Sequence, residues 1–181
     1  MSLEIVCGPM FSGKSSYIYS TVKRYASIGR KVVVLKPASD TRYSTLPEVI
    51  THDGVSFDCI TLMGNLMSVD FEYTNPADVI IIEEAQFFTD LVLFVKCTVE
   101  NEKKTVIVVG LDGDSDRKPF GQILDCIPLA DTVVKLNALC TRCANGTPAL
   151  FSKRIIDQTG QVCIGGRKEY EPLCRWCYLR A

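Results

Sequence analysis

Short runs of apolar, largely β-branched residues recur along the chain at 3–7, 31–36, 79–82, 105–111 and 132–136. The first four are closed by a glycine, a proline or charges. Continuous runs without alternation mark strands covered on both faces, and hence a parallel sheet. Between them, apolar residues fall at helical spacing. Ile18, Val22 and Tyr25 lie four and three apart, with Gly29 as a stop, and Leu91, Phe94, Val95, Thr98 and Val99 share one face. Strands alternating with crossover helices predict an α/β fold. Pro37 ends the second strand, and residues 37–53, which lack periodicity, read as a loop at its carboxyl end. Residues 54–72 read as a short strand at 55–60 followed by a short helix, and Asn75-Pro76 as a turn. Residues 150–155 and 162–164 read as two hairpin strands joined across Asp157-Gln158-Thr159-Gly160. No internal repeat interrupts the pattern.

Composition narrows the class. At 181 residues and 47% hydrophobic content the chain suits one domain with a small appendage. A net charge of −1 provides no general field for nucleic acid or an anionic membrane, so neither is expected as a partner. No apolar run approaches the ~18 residues of a membrane span, and the first strand begins without a basic leader, so a cytoplasmic protein is expected. Cytoplasmic thiols stay reduced, and closely paired cysteines among the nine therefore point to metal.

The most informative stretch follows the first apolar run. Gly8-Pro9-Met10-Phe11-Ser12-Gly13-Lys14-Ser15 fits the phosphate-cradling pattern G-x-x-x-x-G-K-[ST] between a strand and a helix. Glycines let the backbone wrap the phosphates, amide N–H groups and the helix dipole face their charge, Lys14 reaches the outer phosphates, and Ser15 offers a hydroxyl to Mg²⁺. A nucleotide is the expected ligand. The apolar run at 79–82 then delivers Glu83-Glu84-Ala85-Gln86-Phe87-Phe88, with a carboxylate at the carboxyl end of a buried strand, where P-loop sites hold their metal. Glu83 is the Mg²⁺ candidate, one methylene longer than the usual Asp, and Glu84 is the candidate general base. In the loop after the second strand, Asp40 could help hold Mg²⁺ and Arg42 could pair with a phosphate; loop charges facing solvent are the alternative. His52, the only histidine, reads as a hydrogen-bonded loop residue.

From Leu139 the composition changes. Cys140-Thr141-Arg142-Cys143 and Cys174-Arg175-Trp176-Cys177 form C-x₂-C-x₃₀-C-x₂-C, four thiolates suited to one tetrahedral Zn²⁺ with no open position, hence structural. Cys7, Cys59, Cys97, Cys126 and Cys163 lack ligand spacing and read mostly as small core residues.

The ordered series G-P-M-F-S-G-K-S, D-T-R-Y, T-H-D, E-E-A-Q-F-F, L-D-G, R-K-P-F, V-V-K-L, C-x₂-C, S-K-R, I-G-G and C-R-x-C-Y closely resembles the type II thymidine kinases, from the first strand almost to Tyr178. The resemblance implies a RecA-like P-loop parallel sheet with helices on both faces over residues 1–138, and a zinc-binding lasso domain over 139–181. It implies transfer of the ATP γ-phosphate to the 5′-hydroxyl of thymidine, acceptance of deoxyuridine, feedback inhibition by thymidine triphosphate (dTTP), and a homotetramer. Glu84 would be the base, acting with Lys14 and Arg42. Asp40, Thr41, Arg42, Ala85 and Gln86 would join the phosphate loop around the nucleotide. The nucleoside pocket would use Met10, Phe87, Leu111, Ser115, Phe120, Ser152, Gln161, Val162, Cys163, Ile164, Gly165 and Tyr170. Against the family pattern, Glu83 stands for Asp, Ala85 for a frequent Gly, Ser115 for a frequent Phe, and Gln161 for an aliphatic residue. Two competing readings are a P-loop ATPase with a zinc ribbon acting on nucleic acid, and a catalytically weakened nucleotide-binding relative.

Overall fold

The computed structural model describes residues 1–40, 48–50 and 56–181, the side chain of Ile50 excepted. Strand β1 (Ser2–Cys7) leads through the phosphate loop into α1 (Lys14–Ala26) and β2 (Val32–Pro37). A small hairpin of β3 (Glu48–Ile50) and β4 (Ser56–Asp58) follows, then β5 (Ile60–Leu62), the short α2 (Phe71–Thr74), β6 (Val79–Ile82), α3 (Leu91–Lys96), β7 (Thr105–Gly110) and β8 (Thr132–Lys135). The six-stranded sheet has the order β5-β2-β6-β7-β1-β8, and every adjacent pair is parallel.

Both faces of this sheet are covered along β1, β2, β6 and β7, as the unbroken apolar runs require, whereas the edge strand β8 is largely exposed. Leu3, Ile5, Ile80, Ile82, Val106 and Val108 meet Leu91, Phe94 and Val95 of α3 together with Ile123 and Cys126. The alternate residues Val6, Val34, Ile81, Ile107 and Val109 pack with Ile18 of α1. Ile5, Leu35, Ile80, Ile81 and Ile82 are wholly buried, each stabilising the fold by roughly 1.5–3 kcal/mol relative to exposure. The register pairs Cys7 with Gly110 and Leu35 with Ile82, so the carboxyl ends of β1, β7, β6 and β2 open onto one edge. That is where an open parallel sheet places its ligands.

The C-terminal part is built from β9 (Ala138–Leu139), β10 (Pro148–Ala149), β11 (Phe151–Arg154), β12 (Tyr170–Leu173) and α4 (Arg175–Tyr178). Its apolar cluster is small: Ala138, Ala149, Leu173 and Tyr178 with Cys140 and Cys174. No helix among the described residues is long and apolar enough to cross a membrane.

Three expectations are corrected. Residues 37–53 are not all loop, because 48–50 form β3 against β4. The single strand expected at 55–60 is two strands that part at Cys59, one in the hairpin and one at the edge of the main sheet. Residues 162–164 are not a strand; β11 pairs instead with β12, Phe151 opposite Leu173 and Arg154 opposite Tyr170. The backbone at 158–161 is held by a side chain in place of a ladder. The Arg154 guanidinium donates to the carbonyls of Gln158, Gly160 and Gln161 at 2.6, 2.9 and 3.2 Å.

Candidate active site

The phosphate loop wraps the start of α1. Gly13 caps the helix in the left-handed region at φ 84°, and at Gly8 a Cβ would lie 2.4 Å from the Leu136 carbonyl oxygen. The Lys14 ammonium donates to the carbonyls of Gly8 and Pro9 at 3.2 and 2.8 Å, along the inner curve of the loop. The cleft here is lined by the loop residues Met10, Phe11, Ser12, Gly13, Lys14 and Ser15, closed off by Lys36, Asp40, Glu83, Glu84 and Leu111. Lys36 and Asp40 form an ion pair at 3.3 Å, each with only 4% of its side chain exposed.

Glu83 leaves the end of β6 with its Oε1 accepting from the Ser15 hydroxyl at 3.1 Å. Its Oε2 is buried and without a partner among the described residues. Burial first, then the charges of Glu84 and Asp40, push the Glu83 carboxyl up to about 7 against the opposing pull of Lys36 and the Ser15 hydroxyl. An unpartnered carboxylate oxygen beside a hydroxyl, held in a site that resists negative charge, is an all-oxygen donor set matching Mg²⁺.

Glu84 sits at φ 48°, a left-handed conformation that costs a non-glycine residue about 1–2 kcal/mol. That twist turns the chain out of the sheet into a 3₁₀ turn, Ala85–Phe87. The Glu84 carboxylate accepts from the Gln86 amide at 2.6 Å, and the Gln86 oxygen accepts from the backbone N–H of Leu111 at 3.0 Å. Gln86 therefore fixes the carboxylate to the end of β7.

A second cleft opens beside Glu84. It is lined by Gln86, Phe87, Gly113, Asp114, Ser115, Phe120, Ser152, Gln161, Cys163, Ile164, Gly165 and Tyr170. Phe87 and Phe120 make an edge-to-face wall with centroids 5.5 Å apart. The two clefts share Met10, Asp40, Glu84 and Leu111. Ser152 on β11 ties the halves together, its hydroxyl accepting from the Met10 N–H at 2.8 Å. Tyr170 donates from its hydroxyl to the Cys163 carbonyl at 2.8 Å, shaping the segment over the cleft.

Not every residue singled out from the sequence falls here. Thr41, Arg42 and His52 lie outside the described residues. Ala85 is packed in the core, Gln86 faces the second cleft in place of the phosphate loop, and Val162 is half exposed and absent from the lining. Lys36 and Asp114 were missed. A lysine ending the run K-V-V-V-L-K, beside Pro37, was the available signal for the first; nothing distinguished Asp114 from its acidic neighbours.

Cys140, Cys143, Cys174 and Cys177 converge with all four sulfurs within 4.8 Å of one another. The Cys143 sulfur lies 3.8 Å from that of Cys174 and 3.5 Å from that of Cys177, close to the ~3.8 Å edge of a tetrahedron with 2.3 Å metal–sulfur bonds. Burial raises the Cys140 thiol, but backbone N–H groups of the two knuckles and the neighbouring thiols outweigh it and bring it down to about 6; the Cys177 thiol is pushed up to about 12, chiefly by its bond with Cys143. Four thiols so placed cannot all ionise unless a cation enters, and the donor set suits a soft tetrahedral one.

A P-loop cradle, a buried acidic strand end, a carboxylate between two clefts and a segment lying over the second cleft fit a phosphotransferase of the P-loop class. The comparisons with known proteins agree: residues 1–178 match the thymidine kinase family, and the chain belongs to it. It is 44% identical to thymidine kinase a of Arabidopsis thaliana over 98% of this chain and 75% of that protein. It is 42% identical to the thymidine kinase of vaccinia virus over 98% and 96% of the two chains, and 40% identical to that of Bacteroides thetaiotaomicron over 99% and 87%.

Proposed function

We propose that this chain transfers the γ-phosphate of ATP to the 5′-hydroxyl of thymidine, giving thymidine monophosphate and ADP. The observation that carries the reading is Glu84, a carboxylate at the seam of both clefts whose orientation is fixed by the Gln86 amide. The nucleoside base lies between the Phe87–Phe120 wall and the segment 161–165, with its 5′-hydroxyl toward Glu84. Glu84 accepts the hydroxyl proton as the oxygen attacks the γ-phosphorus, and ADP departs along the phosphate loop. Lys14 turns from the loop carbonyls to the outer phosphates. Ser15 and Glu83, with Asp40 nearby, would hold Mg²⁺, which when bound neutralises phosphate charge. Arg42 is assigned to the phosphates by family resemblance.

The four cysteines would hold structural Zn²⁺, pinning both ends of residues 144–173 so that the segment covers the base with its ordering cost already met. Such a cover also keeps water from the transferring phosphoryl group. Thymidine triphosphate would fill the nucleoside cleft with its base and the loop with its phosphates, and so inhibit. The family resemblance further points to a homotetramer, and a zinc-thiolate centre is in keeping with a cytoplasmic setting.

An ATP-dependent phosphorylation panel across the deoxynucleosides tests this. Thymidine is expected to be turned over, with deoxyuridine slower. ATP hydrolysis stimulated by single-stranded DNA, with no nucleoside product, would overturn it in favour of a nucleic-acid ATPase.

A further inference from the structure

Asp114 and Gln161 both line the second cleft, and their contact with each other has no part in the phosphoryl transfer described above. Asp114 is buried, at 8% exposure. Its Oδ1 accepts from the backbone N–H groups of Asp116 and Lys118, both at 2.9 Å. With the Asp114 N–H donating to the Lys118 carbonyl at 2.9 Å and the bridge between Gly113 and Pro119, this closes residues 113–119 into a tight turn. The other carboxylate oxygen, Oδ2, accepts from the Gln161 side-chain amide at 2.8 Å, and the same amide nitrogen donates to the Pro119 carbonyl at 3.1 Å. Gln161 is itself anchored, because Arg154 of β11 holds its carbonyl.

The turn is thus gripped from two sides by the C-terminal part. Tyr178 donates its hydroxyl to the Ser115 carbonyl. That residue is fixed next to Cys177 in α4, whereas Gln161 belongs to the strandless stretch between β11 and β12. Arg117 of the turn also lies over the rings of Phe151 and Tyr178, so among these grips only the one at Gln161 comes from residues 156–166, the segment over the cleft.

We propose that the Gln161–Asp114 bond is a latch that holds the segment 156–166 shut across the cleft, so that Gln161 is a positioning residue governing how fast nucleoside enters and leaves. The proposal rests on the cleft being the nucleoside site. A bond to a buried carboxylate is among the stronger hydrogen bonds a neutral side chain makes, and an amide leaves no desolvated cation behind when the latch opens. Closure therefore needs no ligand, and opening costs one side-chain contact.

Gln161→Leu keeps the bulk and removes both bonds. In the ligand-free protein, amide hydrogen exchange across 156–166 is expected to speed up by about tenfold to a hundredfold, with β1, β6 and β7 unchanged. The thymidine dissociation rate and KM should rise by a similar factor while kcat is not lowered, a split that general destabilisation would not give. Asp114→Asn keeps the Oδ1 acceptor that closes the turn but turns an amide N–H₂ toward Gln161, and should loosen the same segment, whereas adding it to Gln161→Leu should change little further because the bond is already gone. Wild-type exchange in Gln161→Leu, or fully additive effects of the two changes, would overturn the latch whatever nucleoside is accepted. Rapid exchange in Gln161→Leu and non-additivity in the pair, together with a wild-type enzyme that ignores thymidine, would leave the latch standing and overturn the proposed reaction.

Discussion

Two adjacent glutamates at the end of β6 occupy unlike surroundings and so take unlike roles. Glu83 points to Ser15 with an unpartnered oxygen, while Glu84, turned by its left-handed backbone, is held by Gln86 between the clefts. If Glu84 takes the 5′-hydroxyl proton, Glu84→Gln keeps shape but loses the basic site. Steady-state kinetics should then show kcat lower by ~10²–10⁴ with thymidine affinity little changed; a near wild-type kcat would move the role to Glu83. Ser115 lines the same cleft as the Phe87–Phe120 pair. An aromatic contact adds about 0.5–1.5 kcal/mol, so Ser115→Phe should lower KM for thymidine by roughly twofold to tenfold and disfavour bulky 5-substituted deoxyuridines. Parallel changes for both substrates would show that residue 115 does not wall the base. Ser115 entered only through the family resemblance, and the two strand-end glutamates were legible because an acidic end to a buried apolar strand accompanies a phosphate loop. Asp114 was not, since its role comes from a turn folded around it and from a partner 47 residues on.

At the scale of elements, the parallel strands were readable because burial on both faces leaves an unbroken apolar run, and the packing of α1 and α3 followed from their spacing. The C-terminal hairpin was misread for an equally physical reason. The partner of β11 is Tyr170–Leu173, whose glutamate and proline hide a strand, while the β-branched pair at 162 and 164 lies in a stretch fixed by Arg154 and Tyr170 side chains. Such irregular backbone leaves no periodic signal. With so small a C-terminal cluster, zinc on the four cysteines would supply much of that part's stability, on the order of 10 kcal/mol for a four-thiolate site. Cys174→Ser should lose zinc by elemental analysis, loosen 156–166 in hydrogen exchange and weaken thymidine binding. Full zinc occupancy with unchanged affinity would show that the cover is not pinned by metal.

Across the whole molecule, the C-terminal part touches the phosphate-loop part at points that ring the clefts. Ser152 meets Met10, Gln161 meets Asp114 and Pro119, Tyr178 meets Ser115, and the Arg167 guanidinium lies 5.3 Å from the centre of the Phe11 ring. Both parts are needed to enclose a nucleoside, and an enclosed phosphoryl group should reach the 5′-hydroxyl before water. Coupling is therefore the property to measure: ADP, inorganic phosphate and nucleoside product counted together in one reaction of ATP with thymidine. Thymidine 5′-monophosphate equal in amount to ADP, with little free phosphate, is the expected result. ADP matched by inorganic phosphate, with thymidine unchanged, would contradict the account.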